Sequence, residues 1–371
     1  MMMDISTRTQ QIGRVFSFDR RVELEDTRLD IVPFRFVQAN YGNEIKELQK
    51  KLSATAFCPV TDDRITENEQ FDYAVFMPDR GRGNRMDKAI VMLHGLNEHS
   101  WNKYLAWAEY LAGQTGRAVI LFPIAFHMNR SPCTWNNPRL VLPWVDIRRK
   151  SVSGLTDSTF ANVALSYRLS GQPLRFHVSG LQSAYNVRQL AGEIRSGRHP
   201  LFKEGASVNI FAYSIGAFLS QVLLLADTGG LFAGTKLFMF CGGSILSRMN
   251  GNARDILDRE ASDRLMSYYI NDFRKEHPIP FPAGRTSLEE AFRMMIVPDE
   301  MRSRRESFFQ SAARRIRAIS LKKDTVIPTG GVEEALGESA LKILKEWDFP
   351  FDYTHQIPFP HHPKEGGEPG F

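Results

Sequence analysis

The order of apolar runs and amphipathic stretches predicts an α/β fold built on a mostly parallel, doubly wound sheet. Three observations carry this prediction. Short continuous apolar runs, such as Ala89-Ile90-Val91-Met92-Leu93 and Ala118-Val119-Ile120-Leu121-Phe122, read as strands buried on both faces. Between them lie helical patterns: Trp101, Tyr104, Leu105, Ala108 and Leu111 recur mostly at three and four residues. Strands alternating with helices imply parallel pairing through right-handed crossovers.

The first strand of the alternation runs from Phe71 to Met77, followed by a polar, glycine-bearing turn from Asp79 to Arg85. The runs at 89–93 and 118–122 come next, the second stopped by Pro123. Downstream, Val208-Asn209-Ile210-Phe211-Ala212 is a strand with the helix from Ala217 to Leu225 behind it. Leu237 to Phe240 and Ala318 to Leu321 are further buried strands, and Phe351 to Ile357 reads as the last. Two long segments, about 128–175 and 245–312, break this rhythm and are expected to be helical cap insertions over a site. The main domain is thus expected over 71–371, with 1–70 an N-terminal extension whose one clear helix runs from Asn43 to Leu52.

Composition excludes several classes. With 43% hydrophobic and 24% charged residues the chain is neither disordered nor collagen-like. A net charge of +5 over 371 residues, with the basic residues scattered, predicts no nucleic-acid partner. Cys58, Cys133 and Cys241 are odd in number and lack CxxC spacing, so neither a zinc site nor a disulfide framework is expected. Cys241 reads as a small buried hydrophobe. No HxxxH or HExxH spacing suggests a metal, and no GxGxxG opens a helix, so no cofactor is expected. The start of the chain does not read as a signal peptide and no run is long enough for a membrane span, which makes a cytoplasmic location the expectation.

The sharpest chemical signal is Ile210-Phe211-Ala212-Tyr213-Ser214-Ile215-Gly216-Ala217. A serine nucleophile must be thrust out of a tight strand-to-helix turn, so the residues two before and two after it must be small. Ala212 and Gly216 meet that requirement, with alanine standing where the GxSxG pattern has its first glycine. A second signal, Leu93-His94-Gly95-Leu96-Asn97-Glu98, follows a buried strand and precedes a helix.

With these two motifs in order, the chain from about residue 71 to 362 resembles the α/β-hydrolase superfamily, in its serine hydrolase form. The resemblance implies a sheet of that type, an oxyanion hole made by the N–H groups of Ile215 and Leu96, and a catalytic triad in the order Ser, Asp, His. His94 is expected to be structural. The acid is expected in the Asp-x-x-x-Pro turn at Asp324, because no carboxylate follows the strand from Leu237 until Asp255. Three histidines compete for the base. His355 lies inside the expected last strand, so His361, in the loop after it, is preferred, with His362 the alternative.

The implied reaction is acyl transfer to water from a small-molecule ester, with no cofactor. Aromatic residues in or beside the insertions (Trp135, Trp144, Phe160, Tyr167, Phe176) suggest a partly apolar acyl or alcohol group. The alternatives are an amidase, peptidase or thioesterase of the same fold, or a non-catalytic binding protein on the scaffold. Oligomeric state is not legible.

Overall fold

The structure is a computed structural model that describes residues 5–40, 43–78, 85–227, 229–278 and 286–360. The motif Gly81-Arg82-Gly83 and the histidines His361 and His362 lie outside the described residues.

Among the described residues, nine strands form one sheet: β1 (Val22–Leu24), β2 (Leu29–Val37), β3 (Gln70–Met77), β4 (Met86–Leu93), β5 (Ala118–Leu121), β6 (Phe202–Tyr213), β7 (Leu237–Phe240), β8 (Ile316–Leu321) and β9 (Leu344–Trp347). Their spatial order is β1-β2-β3-β5-β4-β6-β7-β8-β9. From β5 to β9 every pairing is parallel, whereas β1, β2 and β3 join antiparallel. This is the mostly parallel α/β sheet that the sequence predicts.

The period-two pleat explains why the central strands read as unbroken apolar runs. In β4, Ala89, Val91 and Leu93 enter one core with the helices Leu174–Arg195 and Ile215–Leu225. Ile90 and Met92 enter the other, with Ile12, with Trp101 and with Tyr104 and Leu105 of the helix Asn102–Thr115. A charge on either side of such a strand would be buried.

Two expectations need correction. The sheet extends into the first seventy residues through β1 and β2, and a second helix there, Ile5–Val15, packs on Asn102–Thr115 with Arg8 Nε 2.7 Å from Glu109 Oε2. Pro33 obscures β2 in the sequence. It is tolerated because β1 pairs only with residues 29–31, which leaves Pro33 on an edge. At the other end, 351–357 holds no run of strand. The sheet ends at the short, polar β9, and the aromatic residues that imitate a strand pack on one another instead. Phe349 stacks on Phe351 at 5.1 Å and meets Tyr353 edge-on at 5.4 Å. The Tyr353 hydroxyl donates to Asp348 Oδ1 and accepts from the Lys323 N–H, which folds this segment back as a loop over the end of β8.

The two long segments leave the sheet after β5 and after β7 and meet each other. The first carries the helices Pro138–Ser151 and Val163–Gly171, the second Arg259–Ser267, Leu288–Met294 and Arg302–Ala312. Buried Arg148 donates from Nη2 to Oδ1 of buried Asp258 at 2.8 Å. Asp258 also caps the helix Arg259–Ser267 through the Ala261 N–H, and its own N–H donates to Ser166 Oγ.

Candidate active site

β6 ends at Tyr213, and the helix Ile215–Leu225 begins one residue after Ser214. Ser214 itself has φ 53° and ψ −121°, a conformation that costs a non-glycine residue on the order of 1–3 kcal/mol. The turn is closed by backbone on both sides. A Cβ on Gly216 would lie 2.6 Å from the Leu93 carbonyl oxygen, and one on Gly242 would lie 2.7 Å from that of Ser214. Small residues are therefore a steric necessity here, as the sequence motif implies.

The Ser214 hydroxyl is 2.8 Å from Nε2 of His355, and Nδ1 of the same ring is 2.7 Å from Oδ2 of Asp324. All three side chains are buried. An ionised carboxylate can only accept, so Nδ1 carries the proton and Nε2 is left to accept from the serine. Asp324 Oδ1 accepts the N–H groups of Val326 and Ile327, both at 2.9 Å, which fixes the carboxylate in the turn after β8. Such a chain of groups can withdraw a proton from Ser214 and return it to a leaving group.

The structure thus brings together Ser214, Asp324 and His355. The expected histidines, His361 and His362, fall outside the described residues, and the ring that bonds Ser214 and Asp324 belongs to the residue the sequence assigned to a strand. The position of His355 has a simple physical cause. With 351–357 a loop, His355 is not committed to a face of the sheet and is the first histidine after β9, the last strand among the described residues.

Tyr213, which sequence reasoning passed over, supports this loop: its hydroxyl donates to the His355 carbonyl, and its ring stacks on the imidazole at 5.5 Å. Its aromatic character at the end of an apolar strand is an ordinary core signal, so nothing in the sequence marks it.

His94 is buried and bonded away from the serine. Its Nδ1 donates to the Gly95 carbonyl and its Nε2 accepts the Ile124 N–H, and burial holds its pKa well below the usual histidine value. It acts as a prop beneath the loop, as expected. Leu96 and Ile215 both line the space beside Ser214. Ile215 opens its helix, so its N–H has no acceptor within it. Asn97, at φ 60°, donates from Nδ2 to the carbonyls of Ala161 and Asp255 and so ties this loop to both insertions. Glu98 pairs with Lys103 and accepts from the Tyr104 hydroxyl.

Among the described residues, Ser214 lines a cleft and a smaller cavity. A cleft of about 290 Å³ is lined by Glu98, Ser100, Lys103, Asp255, His355 and Gln356, among others. A smaller, apolar cavity of about 40 Å³ is lined by Leu96, Ile215, Leu246, Leu257, Met266 and Ile327, among others. Among the described residues, no group of three or more His, Cys, Asp or Glu is arranged to hold a metal ion, and no helix is long and apolar enough to cross a membrane.

One family model, described as a family of unknown function (DUF6051), matches residues 7–368. The chain belongs to that family. No curated protein matches this DUF6051 member. Among solved structures it is similar to acetyl xylan esterase 1 from Thermoanaerobacterium sp. JW/SL YS485, at 15% identity and TM-score 0.44, over 95% of this chain and 87% of that one. It is similar also to an S-formylglutathione hydrolase from Agrobacterium tumefaciens, at 12% identity and TM-score 0.44, over 92% of each chain. A third likeness is to vibralactone cyclase, at 10% identity and TM-score 0.45, over 95% of this chain and 77% of that one.

Proposed function

We propose that this protein is a serine hydrolase that cleaves carboxylic esters by acyl transfer to water. The observation that carries the proposal is the hydrogen-bonded series Ser214–His355–Asp324, at 2.8 and 2.7 Å, on a strand-to-helix elbow. Ser214 Oγ attacks the carbonyl carbon while His355 Nε2 takes its proton. The tetrahedral oxyanion is held by the N–H groups of Ile215 and Leu96, each worth about 3–4 kcal/mol to the transition state. The C–O bond then breaks, and His355 returns the proton to the departing alkoxide. Water, deprotonated by the same imidazole, cleaves the acyl-enzyme and restores Ser214. The two insertions act as a cap over the serine, joined at Arg148 and Asp258.

A fluorophosphonate probe tests the reading. It should label the wild-type protein at Ser214 and leave a folded Ser214→Ala variant untouched, and that variant should lose hydrolysis of short activated esters. A folded wild-type protein that takes no label and hydrolyses no ester would leave a non-catalytic binding role as the better account.

A further inference from the structure

The two cavities on Ser214 differ in chemistry, and the position of His355 decides which half of an ester each receives. The proton returned to the leaving alkoxide comes from His355 Nε2, so the alcohol departs on the side that His355 lines. That side is the 290 Å³ cleft, which also carries Gln356 from the His355 loop. The acyl group stays on Ser214 and lies on the other side, against Leu246, Leu257, Leu265, Met266 and Ile327.

Size and polarity then constrain each half. A cavity of about 40 Å³ holds about three water-sized groups, which corresponds to an acyl chain of about two to four carbons. Phe176 lines this cavity and also a neighbouring apolar one of about 50 Å³, so its ring forms part of the wall common to both. In the cleft, the Lys103 ammonium is already paired with Glu98. The side chains of Ser100, Asp255 and Gln356 make no hydrogen bond or ion pair among the described residues. The cleft therefore offers uncommitted hydroxyl, amide and carboxylate groups and no unpaired cation, which suits a neutral, hydroxyl-rich alcohol and disfavours a phosphorylated one.

We infer that the substrate is a short-chain acyl ester of a neutral polyhydroxylated alcohol, with the acyl group in the pocket beside Phe176 and the alcohol in the cleft beside Asp255. This inference rests on the serine hydrolase reading. The experiment measures kcat/KM for p-nitrophenyl acetate, butyrate and octanoate, and for glucose pentaacetate against an acetylated glucose 6-phosphate, with fluorophosphonate labelling of Ser214 alongside. Butyrate or acetate should exceed octanoate, four methylenes longer than butyrate, by at least about 100-fold, a loss that a single misfitted methylene can already cause. Phe176→Ala should raise the octanoate-to-acetate ratio about tenfold. Where that variant does not fold, Met266→Ala should move the ratio the same way. Asp255→Lys should shift preference towards the phosphorylated ester. Labelling at Ser214 with octanoate hydrolysed as well as butyrate, or with the phosphorylated ester preferred by the wild type, overturns this inference alone. Absence of labelling together with absence of ester hydrolysis overturns the hydrolase reading and this one with it.

Discussion

The hydroxyl of Ser214 and the imidazole of His355 meet at 2.8 Å across 141 positions of sequence. The contact depends on the loop after β9 folding back over the end of β6, where Tyr213 bonds the His355 carbonyl and stacks on its ring. Under the proposed mechanism, His355→Ala should lower ester turnover by about 10⁶-fold while the melting temperature stays within a few degrees. His361→Ala and His362→Ala should retain turnover within a few-fold. Ester kinetics on the three variants check this. An active His355→Ala protein would return the role of base to the other two histidines.

Asp324→Asn should keep the acceptor contacts to Val326 and Ile327 but replace the carboxylate oxygen that faces His355 Nδ1. The ring is then free to adopt the tautomer that turns Nε2 from acceptor to donor. Turnover should fall by about 10⁴-fold. Near-normal turnover in a folded Asp324→Asn protein would show that the acid lies elsewhere.

Arg148→Met should loosen the junction of the two insertions. Arg148 is buried against Asp258 and also reaches Glu260 at 2.6 Å, so removing it strands a buried carboxylate. Breaking such a pair costs about 3–5 kcal/mol. The urea midpoint should drop accordingly, and substrate affinity should weaken because Asp255, three residues before Asp258, lines the cleft. An unchanged midpoint would place Arg148 among the pairs that contribute little.

Acid stability should decline earlier than carboxylates alone would make it. Burial holds His177 down to about 3 and His127 to about 4, against an ordinary value of 6.5. The unfolded chain therefore binds these protons more readily than the folded one. Their contribution is whole above pH 6.5 and declines as pH falls towards those folded values, by up to about 1.4 kcal/mol per pH unit for each histidine. His177 lies among the rings of Phe273 and Phe292, so His177→Phe can keep the packing and remove one titration. Denaturant midpoints between pH 7 and pH 4 should fall less steeply in that variant; identical slopes would contradict the assignment.

The elements legible in the sequence are those whose signal is local. The runs in β4 and β5 announce buried parallel strands because both their faces are covered, and those in β6 and β8 because one face is buried and the other is half-covered by apolar side chains such as Phe211 and Ile319. Ser214 is legible because its elbow admits only small neighbours, and Gly216 meets the Leu93 carbonyl too closely for any side chain. The turn at Asp324 is legible because it follows a buried strand directly.

What the sequence alone could not decide is what depends on partners far along the chain. The segment 351–357 alternates like a strand, but alternation fixes only which side chains share a face; a strand also needs a neighbour whose backbone groups are unpaired. β9, polar and short, already occupies that edge of β8 through the pairing of Ala318 with Leu344 and Leu321 with Trp347. Held instead by the Tyr353 hydroxyl at Asp348 and the Lys323 N–H, the segment packs its aromatic residues on each other and carries His355 to Ser214. The rule that the histidine follows the last strand is a matter of sequence order, whereas the identity of the last strand is a matter of which backbone reaches the edge of β8, and only the tertiary structure decides that.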